Sequence, residues 1–160
     1  MTHDVTLSAA EGRQWLRLRQ LRVQRARQAL VLAQAEQAQA QAVVDERQAR
    51  IAHNRACLSE LALRWSGPGS IDMPRWGGQL KVHREALDER VERDEYALVD
   101  EQEALEQAQA VVAQRRADLA RAQAREDAVD ATLKDQRRQD LQARERQAEL
   151  DAEEARQTPH

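Results

Sequence analysis

A heptad repeat of large apolar residues constrains this chain more than any other feature. From residue 16 the repeat runs almost unbroken through the first half of the sequence, and seven of its eight positions are large and apolar. These positions are Leu16, Val23, Leu30, Gln37, Val44, Ile51, Leu58 and Trp65. A thinner stripe lies three residues further on, at Ala26, Ala33, Ala40, Arg47, Asn54 and Leu61. Because a period of seven gives 3.5 residues per turn, the pattern predicts a long helix that supercoils with a partner helix.

A second heptad stripe in the C-terminal half supplies that partner. Its positions are Val91, Leu98, Leu105, Val112, Leu119, Glu126 and Leu133, with Leu87, Ala108, Ala122 and Val129 beside them. In an antiparallel pair, facing residues have a constant sum of residue numbers, and stripe pairs such as Val23 with Leu119 sum to 142. The heptad spacing also allows sums of 135 and 149, but the sum of 142 is centred best on the break between the stripes.

That break is the segment "LRWSGPGSIDMPRWGGQL", residues 63–80, which holds four of the five glycines. Glycine and proline interrupt helices, so the sequence predicts an all-α fold, a long antiparallel two-helix coiled-coil hairpin. We expect a single coiled-coil domain over residues 1–160. It consists of helix one at about 8–64, a turn at 65–77, helix two at about 78–155 and a disordered tail at 157–160. The longer helix two should extend past the start of helix one as a solvated, frayed or partner-ordered segment.

Composition and charge exclude several classes of function. Only 2% of the residues are aromatic and much of the hydrophobic fraction is alanine, so no thick globular core is expected. The net charge of −3 does not favour nucleic acid, and the arginines interleave with the first stripe instead of preceding it as in a basic leucine zipper. No stretch of eighteen apolar residues predicts membrane insertion, and no signal peptide is recognised. With Cys57 as the single cysteine, an intracellular protein is the simplest interpretation.

The sequence carries no enzyme signature. Gly67-Pro68-Gly69 lacks the phosphate-binding P-loop pattern and follows a predicted helix instead of a strand. His53 and Cys57 lie four residues apart, and the hairpin places His83 near Ser59, but two imidazoles and one thiol without further support are more often bystanders than metal ligands. We therefore predict no enzymatic activity, no cofactor and no metal.

Two surface features favour partner binding instead. Residues 11–30 carry six arginines against Glu11 alone, and the hairpin places them beside the arginines of residues 115–125. At the break, Trp65 continues the first stripe and can cap the coil, whereas Trp76 has no stripe to join. Exposed aromatic side chains at such a place tend to mark contact sites.

The stretch "WLRLRQLRVQRARQALVLAQAEQAQAQA", residues 15–42, resembles the N-terminal helix of the FliJ/YscO-type stalk proteins of flagellar and type III secretion systems. Length and arginine content are also similar to those of the HrpB-operon member of plant-pathogen injectisomes. The resemblance covers most of the chain, including the mid-chain break and the longer, acidic second helix. It implies a cytoplasmic antiparallel coiled coil, peripheral at the base of the secretion apparatus.

The resemblance also implies partners. Proteins of this family bind the hexameric secretion ATPase with the end where the termini pair, contact the export-gate protein, and in some cases bind export chaperones. By position, the ATPase-facing candidates are Leu16, Arg17, Arg19 and Arg22. The candidates for partner binding at the tip, with the export gate as the partner, are Trp65, Trp76, Leu80 and His83.

The leading interpretation is thus a non-enzymatic stalk that couples an ATPase ring to export. The alternative is a generic self-assembling coiled-coil scaffold or a chaperone-like adaptor, because the thin alanine layer and Gln37 leave grooves that a second hairpin can fill. Homo-oligomerisation and the choice between a flagellar and an injectisome system stay open at this point.

Overall fold

A computed structural model describes residues 8–67 and 75–157, and these residues form a helical hairpin. Helix α1 spans Ala9–Ser66, helix α2 spans Gly77–Gln157, and the two helices pack against each other. The predicted all-α hairpin is confirmed. Residues 68–74 of the predicted turn and residues 158–160 of the predicted tail lie outside the described residues. Gln157, assigned to a disordered tail, is instead the last residue of α2.

Helix α1 begins with a reciprocal cap. The backbone N–H of Ser8 donates to Glu11 Oε2 at 2.9 Å, and the backbone N–H of Glu11 donates to Ser8 Oγ at 3.3 Å. This is a capping box, which satisfies backbone donors that have no partner inside the helix. The bond from the Ser8 N–H, followed by the Ser8 hydroxyl, lowers the pKa of Glu11 below its ordinary value.

The helices end and begin where the composition changes. At the end of α1, Ser66 Oγ donates to the Ala62 carbonyl at 3.0 Å, and Gly67 follows the last helical residue. Pro68 comes next in the sequence and has no N–H with which to continue the helix. Helix α2 starts after Trp76, whose carbonyl accepts the N–H of Leu80 at 3.0 Å. Observed and predicted helix bounds differ by only one or two residues.

Contacts divide the chain into two compact units, each of which contains part of both helices. One comprises Met1–Leu30 with Arg115–His160, and the other comprises Val31–Gln114. In the first unit Val23 and Leu133 are buried, and Leu133 packs where a side chain on Gly12 would collide with it. Gly12 therefore provides the hole for the Leu133 knob. The sum of the residue numbers of Gly12 and Leu133 therefore differs from the predicted sum of 142 by less than one helical turn.

The core of the second unit follows both predicted stripes. Its buried hydrophobic residues are Ala33, Val44, Ile51, Leu87 and Val112. Val43, immediately before Val44, is 42% exposed, whereas Val44 is only 3% exposed. At these two neighbouring residues the heptad assignment thus separates the buried position from the exposed one.

An interhelical ion cluster, here called the polar layer, interrupts this core. It consists of Arg47 on α1 with Asp94 and Glu101 on α2. Arg47 Nη1 donates to Asp94 Oδ1 at 2.7 Å, and Arg47 Nη2 donates to Glu101 Oε1 at 2.6 Å. The three side chains are 22%, 13% and 18% exposed, respectively. Because the two carboxylates lie seven residues apart on α2, one arginine bridges consecutive layers of the seam and favours a single register.

The polar layer has a defined effect on pKa values. The hydrogen bonds from Arg47, and secondarily its charge, outweigh desolvation and hold the pKa of Glu101 below its ordinary value of 4.5. The hydrogen bonds to Glu101 and then Asp94 raise the pKa of Arg47. Arg47 therefore stays charged in any accessible pH range.

We expect Glu101 to make the hairpin acid-sensitive. Its lowered pKa means that the unfolded state binds its proton more readily, so its contribution is present above about pH 4.5 and is lost as the pH falls through the folded-state pKa. Thermal melts followed by circular dichroism should thus show a smaller drop in Tm between neutral and acidic pH in Glu101→Gln than in the wild type. The control Glu103→Gln changes an exposed side chain. An equal acid response of wild type and Glu101→Gln would contradict the expectation.

The C-terminal part of α2 is solvated. Every residue from 137 to 157 is exposed, including Leu141 and Leu150. We call this segment the overhang. The sequence predicted a solvated, a frayed or a partner-ordered segment, and the structure shows the first of these, a solvated helix.

Candidate partner-binding surfaces

The four tip candidates lie in one groove. Trp65, Trp76, Leu80 and His83 line a groove of about 880 Å³ in the second unit, which we call the tip groove. The other apolar residues of its lining are Leu58, Leu61 and Ala62. Sequence position alone therefore identified residues that the fold brings together.

The two tryptophans give the tip groove its apolar character. Trp65 is 51% exposed and Trp76 is 55% exposed. The outer edge of the Trp65 ring lies 3.8 Å from the point where a Cβ on Gly77 would stand, so the ring crosses the start of α2 at a residue without a side chain. Trp65 thus partly covers the end of the seam while half of its surface stays available.

Charged groups surround this apolar surface. Arg64, Lys81, Arg84 and Asp88 contribute to the lining together with His83. Arg64 pairs with Glu60 at 2.7 Å, and Arg84 lies 3.9 Å from Asp88. Both are exposed pairs within one helix, and such pairs stabilise little. An apolar groove with charged groups at its edge is typical of a surface that binds an amphipathic segment.

The second surface is an arginine-rich cleft in the first unit. Arg19 and Arg22 on α1 and Arg121 and Arg125 on α2 line a cleft of about 150 Å³ together with Asp118 and Ala122. We call it the arginine cleft. Asp118 Oδ1 accepts a hydrogen bond from Arg121 Nη2 at 2.6 Å. The predicted neighbourhood of the two arginine groups is thus confirmed for these four side chains.

The other two ATPase-facing candidates differ in exposure. Arg17 is exposed, whereas Leu16 is half-buried and lies on the first heptad stripe. Leu16 therefore contributes mainly to the seam and offers only part of its surface to a partner.

Trp15 is a surface residue that was not among the candidates predicted from the sequence. Its side chain is 49% exposed, and the guanidinium carbon of Arg19 lies 5.9 Å from the centre of its ring. This distance is within the range of a cation–π interaction. The signal was present in the sequence, because Trp15 precedes the stripe residue Leu16 and so lies beside the seam and not in it.

The candidate metal ligands do not assemble into a recognisable site. Cys57 Sγ lies 3.8 Å from His53 Nε2 on one face of α1, as their spacing predicted. Within residues 8–67 and 75–157, no group of three or more histidine, cysteine or carboxylate side chains is arranged to hold a metal ion. In the same residues, neither helix contains a segment long and apolar enough to cross a membrane.

No known protein-family model, curated protein or solved structure matches this chain.

Proposed function

We propose that this protein is a non-enzymatic coiled-coil stalk of a type III secretion system, which binds the hexameric secretion ATPase and couples it to the export gate. The observation that carries the proposal is the arginine-rich surface in the first turns of α1. Six arginines and no acidic residue lie between residues 13 and 27. Clusters of like charge increase the rate of association with partners of the opposite charge.

The tip groove supports the second part of the proposal. A coupling protein needs a separate contact for its second partner, and the groove has two half-exposed tryptophans, the residue type most enriched at the energetic centres of interfaces. We assign this groove to the export-gate protein. The resemblance to the FliJ/YscO-type proteins gives the identity of both partners, and the family's export chaperones are further candidate partners for the groove.

The test uses the purified chain and the hexameric secretion ATPase of the same organism. We expect the wild type to co-sediment with the ATPase and to change its rate of ATP hydrolysis. Arg19→Glu/Arg22→Glu should lose both effects, since it reverses the charge of the arginine cleft. The matched control is Arg90→Glu/Arg93→Glu, which changes two exposed arginines on α2. This control should still co-sediment with the ATPase and change its rate of ATP hydrolysis. A wild type that neither associates with the ATPase nor alters its activity would contradict the proposal.

A second arm concerns the tip groove. Binding to the cytoplasmic domain of the export-gate protein should be lost in Trp65→Ala/Trp76→Ala and kept in Trp15→Ala. Helicity should be unchanged in both variants because none of the three tryptophan side chains is buried. If Trp65→Ala/Trp76→Ala still binds the gate protein, the tip groove is not the binding site, and the tip only connects the two helices.

A self-assembling scaffold or chaperone-like adaptor is the second candidate function. The exposed helix of the overhang favours it, since this surface is open to another copy or to a client protein. A tight oligomer that binds neither the ATPase nor the gate protein would favour this function over the stalk.

A further inference from the structure

The overhang is held away from the arginines of its own chain. Gly12 packs against Leu133, and the helices are antiparallel, so Ala9 at the start of α1 is level with about residue 136. Residues 137–157 then continue for about 31 Å past that point, at about 1.5 Å per residue. The charged groups near the C-terminal end of α2 are thus carried away from α1.

The overhang has an acidic part. Residues 145–154 contain five acidic side chains and only one arginine, Arg146. Leu150 lies among them and is 55% exposed. An exposed leucine surrounded by carboxylates is suited to a surface that combines apolar and cationic groups.

Such a surface is present at the start of α1. Trp15, Leu18 and Leu21 are about half-exposed, and their spacing of three residues places them on one side of the helix, away from the seam. Arg17, Arg22 and Arg25 are exposed beside them. This face carries both the apolar area and the charge that complement the acidic part of the overhang.

We propose that two copies of this chain associate through these surfaces, with the overhang of each copy lying along α1 of the other. If the two copies meet with the starts of their α1 helices level and point in opposite directions, residue 137 of one copy is level with about residue 10 of the other. The overhang then runs parallel to that α1 helix and ends level with about residue 30. Its acidic part, residues 145–154, lies alongside about residues 18–27, a stretch that contains exposed arginines.

The arrangement is closed and symmetric. Each overhang completes a three-helix arrangement with the hairpin of the other copy, and one two-fold axis generates both contacts. The same arginines form the surface that the proposed function assigns to the ATPase, so self-association and ATPase binding would exclude each other. The self-association itself uses only residues of this chain and holds whether or not the chain is a secretion stalk.

The test measures the mass of the full chain in solution by analytical ultracentrifugation. We expect twice the chain mass of 18.3 kDa at about 0.1 M salt and dissociation towards the monomer at about 1 M salt, where screening is much stronger. Glu149→Lys/Asp151→Lys/Glu153→Lys should weaken the dimer by roughly tenfold or more, because like charges then face each other. Asp100→Lys/Glu103→Lys/Glu106→Lys is the matched control with the same change in net charge at exposed positions, and it should stay dimeric.

A charge swap between copies provides the decisive result. Arg17→Glu/Arg22→Glu/Arg25→Glu should also be monomeric, but a mixture with the overhang variant should form a 1:1 heterodimer, since both contacts then pair opposite charges. Circular dichroism checks that each variant stays helical. A monomeric wild type at low salt, an overhang variant that stays dimeric, or two variants that do not combine would each overturn the proposal. A monomeric wild type that still binds the ATPase would overturn the dimer alone and leave the proposed function intact.

Discussion

Truncating Val44 to alanine is expected to lower the free energy of unfolding by about 1.5–3 kcal/mol, the scale of fully burying a valine side chain. Val44 is 3% exposed and lies at the centre of the first stripe. In a thin two-helix seam with few large side chains, no second layer can move in to fill the space. The expected fall in Tm is about 3–12 °C for a chain of this length.

Val43→Ala is the control for this prediction. Val43 is the same residue type in the same helix, and its exposed position should limit the change to within about 0.5 kcal/mol. Both substitutions change the intrinsic helix propensity equally, so that contribution cancels when the two are compared. Urea denaturation measures the change in the free energy of unfolding for both variants. Similar losses at the two positions would show that the heptad seam is not what stabilises the hairpin.

Reversing the charge of Arg47 is expected to destabilise the hairpin strongly. Arg47→Glu brings a third carboxylate next to Asp94 and Glu101, which are only 13% and 18% exposed. Removing the cation from a partly buried cluster leaves two anions that neither water nor another side chain compensates fully. Arg47→Met should have a smaller effect than Arg47→Glu, because the methionine adds apolar contact without adding charge.

A charge exchange tests whether this loss comes from the polar layer itself. In Arg47→Glu/Glu101→Arg the interhelical pair is restored with its direction inverted, so Tm should recover much of what the single substitution lost. Arg50→Glu is the control. Arg50 also reaches Asp94, at 3.1 Å, but its side chain is half-exposed and its loss should matter less. An exchange variant no more stable than Arg47→Glu would mean that the cluster contributes nothing specific to the pairing of the helices.

Much of the fold was predictable because it depends on one periodic signal. The heptad positions, the break between them and the direction of pairing all follow from which residues can be removed from water together. Ser8 and Glu11 show that further information was present at short range, since their spacing alone indicates a capping box. The positions of Trp65, Trp76, Leu80 and His83 beside the break were sufficient to predict that they lie close together.

The polar layer was not predictable in the same way. Asp94 and Glu101 resemble the many acidic residues of α2 that lie on solvated faces. Only the register of the two helices places them against Arg47, and a shift of one helical turn would separate them. The altered pKa values of Glu101 and Arg47 are therefore a product of pairing and not of sequence composition.

Sequence by itself determined that this chain forms two long helices, where they end and which side of each is buried, because local propensity and periodicity act within each helix. Tertiary packing decided the rest: that Gly12 accommodates Leu133, that Arg47 joins two carboxylates, that Trp65 crosses the start of α2 at Gly77, and that two groups of arginines share one cleft. These contacts join residues far apart in the chain, and they depend on distances of a few ångströms that a repeat of seven residues does not specify.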